Sequence, residues 1–80
     1  MNPNPSTQAG RRQIARNARS YGYWDIPASP GRCRQLQVDC PLCRERVSAA
    51  WESGKTRTAL LDAAMEDHLL RDCEHGPQQQ

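Results

Sequence analysis

Apolar residues fall into three patterned stretches, separated by runs with little to bury. From a capping Ser6 or Thr7 to about Ser20, Ile14, Ala15 and Ala18 form a thin apolar side, with Arg11, Arg12, Arg16 and Arg19 spread around the rest. That spacing predicts a short helix, marginal on its own. Farther on, Leu36, Val38 and Cys40 alternate with Gln35, Gln37 and Asp39, and Val47, Ala49 and Trp51 alternate beyond Cys40-Pro41-Leu42-Cys43. Period-two alternation on both sides of a tight segment predicts a hairpin whose bend is that Cys-Pro-Leu-Cys run. After the turn-like Glu52-Ser53-Gly54-Lys55, Thr56 or Thr58 can cap a helix from about Ala59. On it Leu61, Met65 and His68 share one stripe, and Gly76-Pro77 stops it. The segment Tyr21 to Arg34, with two Gly, two Pro and three of the four aromatics, reads as an extended connector that packs through Trp24 and Ile26.

The expected organisation follows. Residues 1–10 and 77–80 are polar and read as disordered tails. Residues 11–34 read as a basic arm with a short helix and the connector, and 35–76 as a strand–strand–helix module. No internal repeat is visible.

Composition raises the question of what holds so small a chain together. Among 80 residues Leu, Ile, Val and Phe number only ten, so a conventional core is ruled out. Chains of this size usually need disulfides, a metal or a partner subunit to fold. No stretch approaches a membrane span, and Met1 to Gly10 lacks a basic start followed by an apolar run, so the chain reads as soluble and cytoplasmic. In a reducing compartment four cysteines are more naturally metal ligands than disulfides, which makes Zn2+ the leading staple. Charge is uneven: residues 1–37 hold six Arg against Asp25 alone, +5, while residues 38–80 hold five basic and eight acidic side chains, −3. Ten of the eleven basic residues are Arg, the codon bias of a GC-rich genome.

The chemistry-bearing pattern is C-x2-C-x24-H-x4-C, formed by Cys40, Cys43, His68 and Cys73. Two thiolates on a tight knuckle bind one side of a tetrahedral zinc, and a His on a helix with a Cys near its end close the other side. Cys73 lies about 140° around an ideal helix from His68, so both can face one ion only if the last turn loosens. Gly76 and Pro77 ease such loosening. Cys33 and His75 are the rival ligands, and Cys33 with the other three cysteines offers a four-cysteine zinc or iron–sulfur alternative.

With these residues the sequence resembles the ββα zinc fingers, in particular the enlarged single fingers of small proteins from GC-rich bacteria, their plasmids and phages. The resemblance spans roughly residues 36–75 and rests on the knuckle Cys40-Pro41-Leu42-Cys43, Met65 three residues before His68, and the His68/Cys73 pair where many fingers carry two histidines. It implies a small α+β, metal-stapled fold, with zinc on Cys40, Cys43, His68 and Cys73 and an N-terminal helical arm outside the finger. The long insert and the Cys in place of the second His depart from the pattern. Fingers that read bases do so from helix positions which here are Leu61, Ala64 and Asp67, none able to reach a base edge bidentately. Asp62, Glu66, Asp67, Asp72 and Glu74 make the helix negative, so it is not expected in a major groove.

Function is expected to be binding and not catalysis. A zinc filled by four protein ligands has no place for water, and Gly54-Lys55-Thr56 lacks the glycine at Ala49 that a phosphate loop needs. No small-molecule substrate is implied. The first expectation is a small regulator contacting nucleic acid through Arg11, Arg12, Arg16, Arg19, Tyr21 and Tyr23, with Arg32, Arg34 and Trp24 available to help. The alternative is a protein–protein adaptor or inhibitor, met through the acidic helix or the exposed aromatics.

Overall fold

The structure, a computed structural model, describes residues 3–73. Element order is α1 (Gln8–Tyr21), β1 (Trp24–Ile26), β2 (Gln35–Asp39), β3 (Arg46–Ala50) and α2 (Arg57–Arg71). The small α+β class expected from the pattern is what forms: a helix, a three-stranded antiparallel sheet and a second helix. No described helix is long and apolar enough to cross a membrane.

Local chemistry starts both helices. Thr7 caps α1 by accepting from the Gly10 N–H at 3.0 Å, and Thr56, not Thr58, caps α2 by accepting from Ala59 at 3.1 Å. Helix α1 ends at Gly22, whose φ of 136° an L side chain rarely adopts. Ordered structure also begins earlier than the composition suggests. Asn4 closes a turn onto Thr7, helix α1 starts at Gln8, and Gly10 is buried, all within the stretch read as a tail. Residues 77–80 lie outside the described region.

The hairpin is β2 and β3 in the expected alternation: Leu36 and Val38 pair with Ala49 and Val47, and all four are buried. Strand β1 was not legible as a strand. Its three residues pair with Gln35–Gln37 of β2, adding an edge to the hairpin. Trp24 and Ile26 alternate onto the sheet face away from the helices, so Trp24 stays 45 % exposed and does not pack inward as expected. Trp51, which continues the alternation of Val47 and Ala49, lies just past β3 and packs partly buried at the core's margin beneath the Arg34 guanidinium.

Helix α1 is not an appended arm. Ile14, Ala15 and Ala18 join Leu36, Val38, Leu60, Leu61, Met65 and Leu69 in one buried cluster, so the N-terminal segment and the finger-like part fold as one body. Arg12 reaches Glu66 and Arg19 reaches Asp62, a pairing in which α1 numbers rise as α2 numbers fall, so the helices pack antiparallel. The 24 residues between Cys43 and His68 are no loop either: they comprise β3, the turn through Gly54 and most of α2.

Gly10 is where α1 presses closest on the preceding turn, since a Cβ there would stand 1.7 Å from the Asn4 carbonyl oxygen. In an ordinary helix interior Gly→Ala stabilises by roughly 0.5–1 kcal/mol. Here the sign should reverse. Gly10→Ala is expected to lower the thermal midpoint, and an unchanged or raised midpoint would disprove the close approach.

Candidate metal centre

Four side chains separated by up to 33 residues in sequence converge at one end of the sheet. Cys40 follows the last residue of β2, Cys43 sits in the turn, His68 lies in the last turn of α2, and Cys73 stands two residues beyond its end. The three sulfurs and a His68 ring nitrogen all lie within 4.8 Å of one another. Cys40, Cys73 and His68 are buried, and Cys43 is partly so.

The spacing has a specific meaning. With metal–sulfur bonds of about 2.3 Å and metal–nitrogen bonds of about 2.0–2.1 Å, a tetrahedron has edges of about 3.8 Å between sulfurs and about 3.6 Å from sulfur to nitrogen. Cys40 Sγ stands 3.9 Å from Cys73 Sγ, and Cys43 Sγ 3.3 Å from His68 Nε2. Bonded sulfurs would sit about 2.0 Å apart. None of the four cysteines is disulfide-bonded.

Two backbone devices create this convergence. At the knuckle, the Cys40 N–H donates to the Glu45 carbonyl at 2.8 Å and the Arg44 N–H donates to the Cys40 carbonyl at 2.8 Å, which closes the turn. Closing it places Arg44 at φ 64°, the left-handed region that costs a side-chain-bearing residue roughly 1–2 kcal/mol. At the other end, the Asp72 and Cys73 N–H groups both donate to the His68 carbonyl, at 2.8 and 2.7 Å. The second of these bonds spans five residues and widens the final turn, which swings Cys73 onto the His68 side. This is the loosening that the spacing required. Gly76 and Pro77, expected to ease it, lie outside the described residues.

Electrostatics explain why such a cluster wants a cation. Burial pushes the Cys43 thiol up to about 12, and the neighbouring Cys40 and Cys73 thiols add to the shift. Three sulfurs this close cannot all ionise without a positive charge among them. A divalent ion supplies that charge, and thiolate with imidazole is the donor set that zinc favours.

The rival ligands stand elsewhere. Cys33 is exposed in the loop between β1 and β2 and is not in the cluster, so the four-cysteine arrangement does not form. His75 lies outside the described residues. The phosphate-loop resemblance also dissolves: Lys55 pairs with Glu52 at 3.4 Å, and Thr56 is spent as a helix cap.

The side chains expected on nucleic acid are divided. Arg19 is held by Asp62 at 2.8 and 3.4 Å and Arg12 lies 3.8 Å from Glu66. Arg11 donates to the Pro5 carbonyl at 3.0 Å. Arg16 is exposed and has no carboxylate partner among the described residues, and Tyr21 and Tyr23 are exposed. Arg34 forks onto Asp25 at 2.7 and 3.0 Å and stacks on Trp51 at 3.9 Å, while Arg57 approaches the same carboxylate at 3.0 Å. Hydrogen bonding from Arg34, with the charge of Arg57 adding, holds Asp25 below its ordinary value. Sequence reasoning missed this self-pairing. Its signal was present, in acids four apart on α2 and arginines seven apart on α1.

The whole is a small helix–sheet fold with a Cys3His cluster, compatible with a zinc finger. No protein-family model, curated protein or solved structure matches the chain.

Arg44 gives a local test of the knuckle. Arg44→Gly removes the left-handed penalty and should stabilise the fold by up to about 1 kcal/mol after the entropy of glycine is counted, which raises the thermal midpoint. Arg44→Val, β-branched, should lower it. Equal midpoints for the two variants would contradict the turn geometry.

Proposed function

We propose that this chain is a non-catalytic zinc module of the C2HC finger type, elaborated by α1 and β1, whose folded surface meets a macromolecular partner. The observation that carries the reading is the buried Cys40, Cys43, His68 and Cys73 set at tetrahedral separations. Four protein donors fill zinc's coordination, so no water is left to activate and the ion acts as a staple. Structural zinc contributes on the order of 10 kcal/mol in finger peptides at neutral pH. That exceeds what a core of this size retains after chain entropy.

Contact with a protein is the better-supported use of the surface. The acidic side of α2, one of the surfaces weighed for a basic partner, is already met by α1 through Asp62 and Glu66, which leaves the exposed aromatics Tyr21, Tyr23 and Trp24. Nucleic-acid contact by a regulator is the second reading, favoured by Arg16, Arg32 and Arg44, which are exposed and have no carboxylate partner among the described residues. Three such cations bound to single strands give a salt slope of about −2. Because α1 carries part of the core, point substitution and not deletion of the N-terminus is the proper test.

Native mass spectrometry after purification without added metal is expected to give one zinc per chain. Replacing Cys40, Cys43 or Cys73 by Ser, or His68 by Ala, should abolish stoichiometric zinc, while Cys33→Ser and His75→Ala retain it. Since the Cys43 thiol sits at about 12, zinc must expel its proton even in mild alkali. Affinity measured against a competing chelator should therefore fall with acid and keep rising past the range where an ordinary thiol, near 8.5, is already ionised. A polypeptide that holds no zinc and keeps its dispersed amide spectrum after exhaustive chelation overturns the reading. For the second reading, anisotropy of a labelled oligonucleotide should show binding that weakens with salt and with Arg16→Ala; binding indifferent to both removes it.

A further inference from the structure

We propose that the aromatic cleft between the end of α1, β1 and the metal knuckle is a docking groove for a proline-rich peptide in the polyproline II conformation. This deepens the protein-contact reading above. The cleft has a volume of about 600 Å³ and is walled by Tyr21, Tyr23, Trp24 and Pro41, with Asp39 as its one charged lining residue. Tyr21, Tyr23 and Trp24 are exposed to 90 %, 40 % and 45 %, an aromatic concentration that the rest of the described surface does not repeat. Exposed large apolar groups gathered in one place mark interaction sites.

Three observations select the occupant. First, a second cleft of about 280 Å³ shares Tyr21 and Pro41 with the first, and Pro3 of this chain lies along it beside Ile14 and Leu42. A proline from an Asn-Pro-Asn-Pro run thus already lines a cleft that the same tyrosine lines, and an incoming segment would continue that surface. Second, the lining holds no free cation. Asp39 is paired with Arg46 at 3.3 Å, and Arg46 also stacks on Trp24 at 4.2 Å, so nothing in the groove is set to neutralise a phosphate backbone. Third, the donors match. Among the described residues neither tyrosine hydroxyl nor the Trp24 indole N–H has an intramolecular hydrogen-bond partner. A polyproline II helix presents unpaired carbonyl oxygens to such donors and loses little entropy on docking between aromatic rings. The Arg46 stack holds the indole upright before any ligand arrives, which reduces the ordering cost.

The test uses the zinc-loaded full chain and octaproline as the probe, followed by the two indole N–H signals. Trp51, stacked beneath Arg34 and absent from the lining of both clefts, is the internal reference. Octaproline should shift the Trp24 signal saturably at micromolar to sub-millimolar concentration and leave Trp51 in place. A Gly-Ser octapeptide should do neither. Tyr21→Ala should weaken binding at least about tenfold, equal to about 1.4 kcal/mol. At 90 % exposure that residue can be removed without unfolding the chain. Zinc content and amide dispersion, read on the same samples, separate failure of the groove from failure of the zinc module. The proposal is overturned if octaproline gives no saturable shift, if the Gly-Ser peptide matches it, if Tyr21→Ala binds as well as the parent, or if oligothymidylate alone shifts Trp24.

Discussion

Sulfurs forced together in a small interior set the terms for this fold. Three thiols and an imidazole meet within 4.8 Å where the sheet bends and the second helix ends. As thiols they are a weakly bonded polar cluster, and as thiolates they repel. A cation among them reverses both problems, because each sulfur gains a bond and the negative charge is neutralised. The surrounding backbone is shaped to that end at some cost. Arg44 is held in left-handed space, and α2 gives up its regular last turn for a bond across five residues.

Around this centre the layers support one another. The helices cover one face of the sheet, with Leu36, Val38, Leu61 and Met65 at the middle of the buried cluster. Ion pairs then fix the edges: α1 to α2 through Arg12 and Arg19, and β1 to the start of α2 through Asp25, shared by Arg34 and Arg57. Exposed pairs of this kind contribute at most about 1 kcal/mol each, so their role is more to select the packing of α1 than to hold it. Without α1 the sheet would lose Ile14, Ala15 and Ala18 from a core already short of large aliphatics.

This division of labour leaves one face of the sheet uncovered by the other described elements. The strands carry Trp24, Gln37 and Ser48 opposite one another on the side away from the helices, with Arg46 bridging to the indole. A module whose interior a metal would staple can leave its aromatics on the outside. That is the reverse of what a chain with so few of them would do if hydrophobic burial alone had to fold it.

The sequence by itself determined the elements with strong local signals. Period-two alternation marked β2 and β3, helical spacing marked both helices, threonine caps started them, and Cys40, Cys43, His68 and Cys73 announced themselves by ligand spacing. These are short-range patterns, written in neighbouring residues. Strand β1 was hidden because three residues among prolines and glycines carry too little periodicity, and only the edge of β2 makes them a strand. The self-pairing of Arg12 and Arg19 was hidden for a related reason: the charges are complementary in sequence, but only antiparallel packing of α1 on α2 brings them within reach. Tertiary structure likewise turned the presumed arm into part of the core and moved Trp24 from inside to outside, since which face of a short strand is covered depends on where the helices lie.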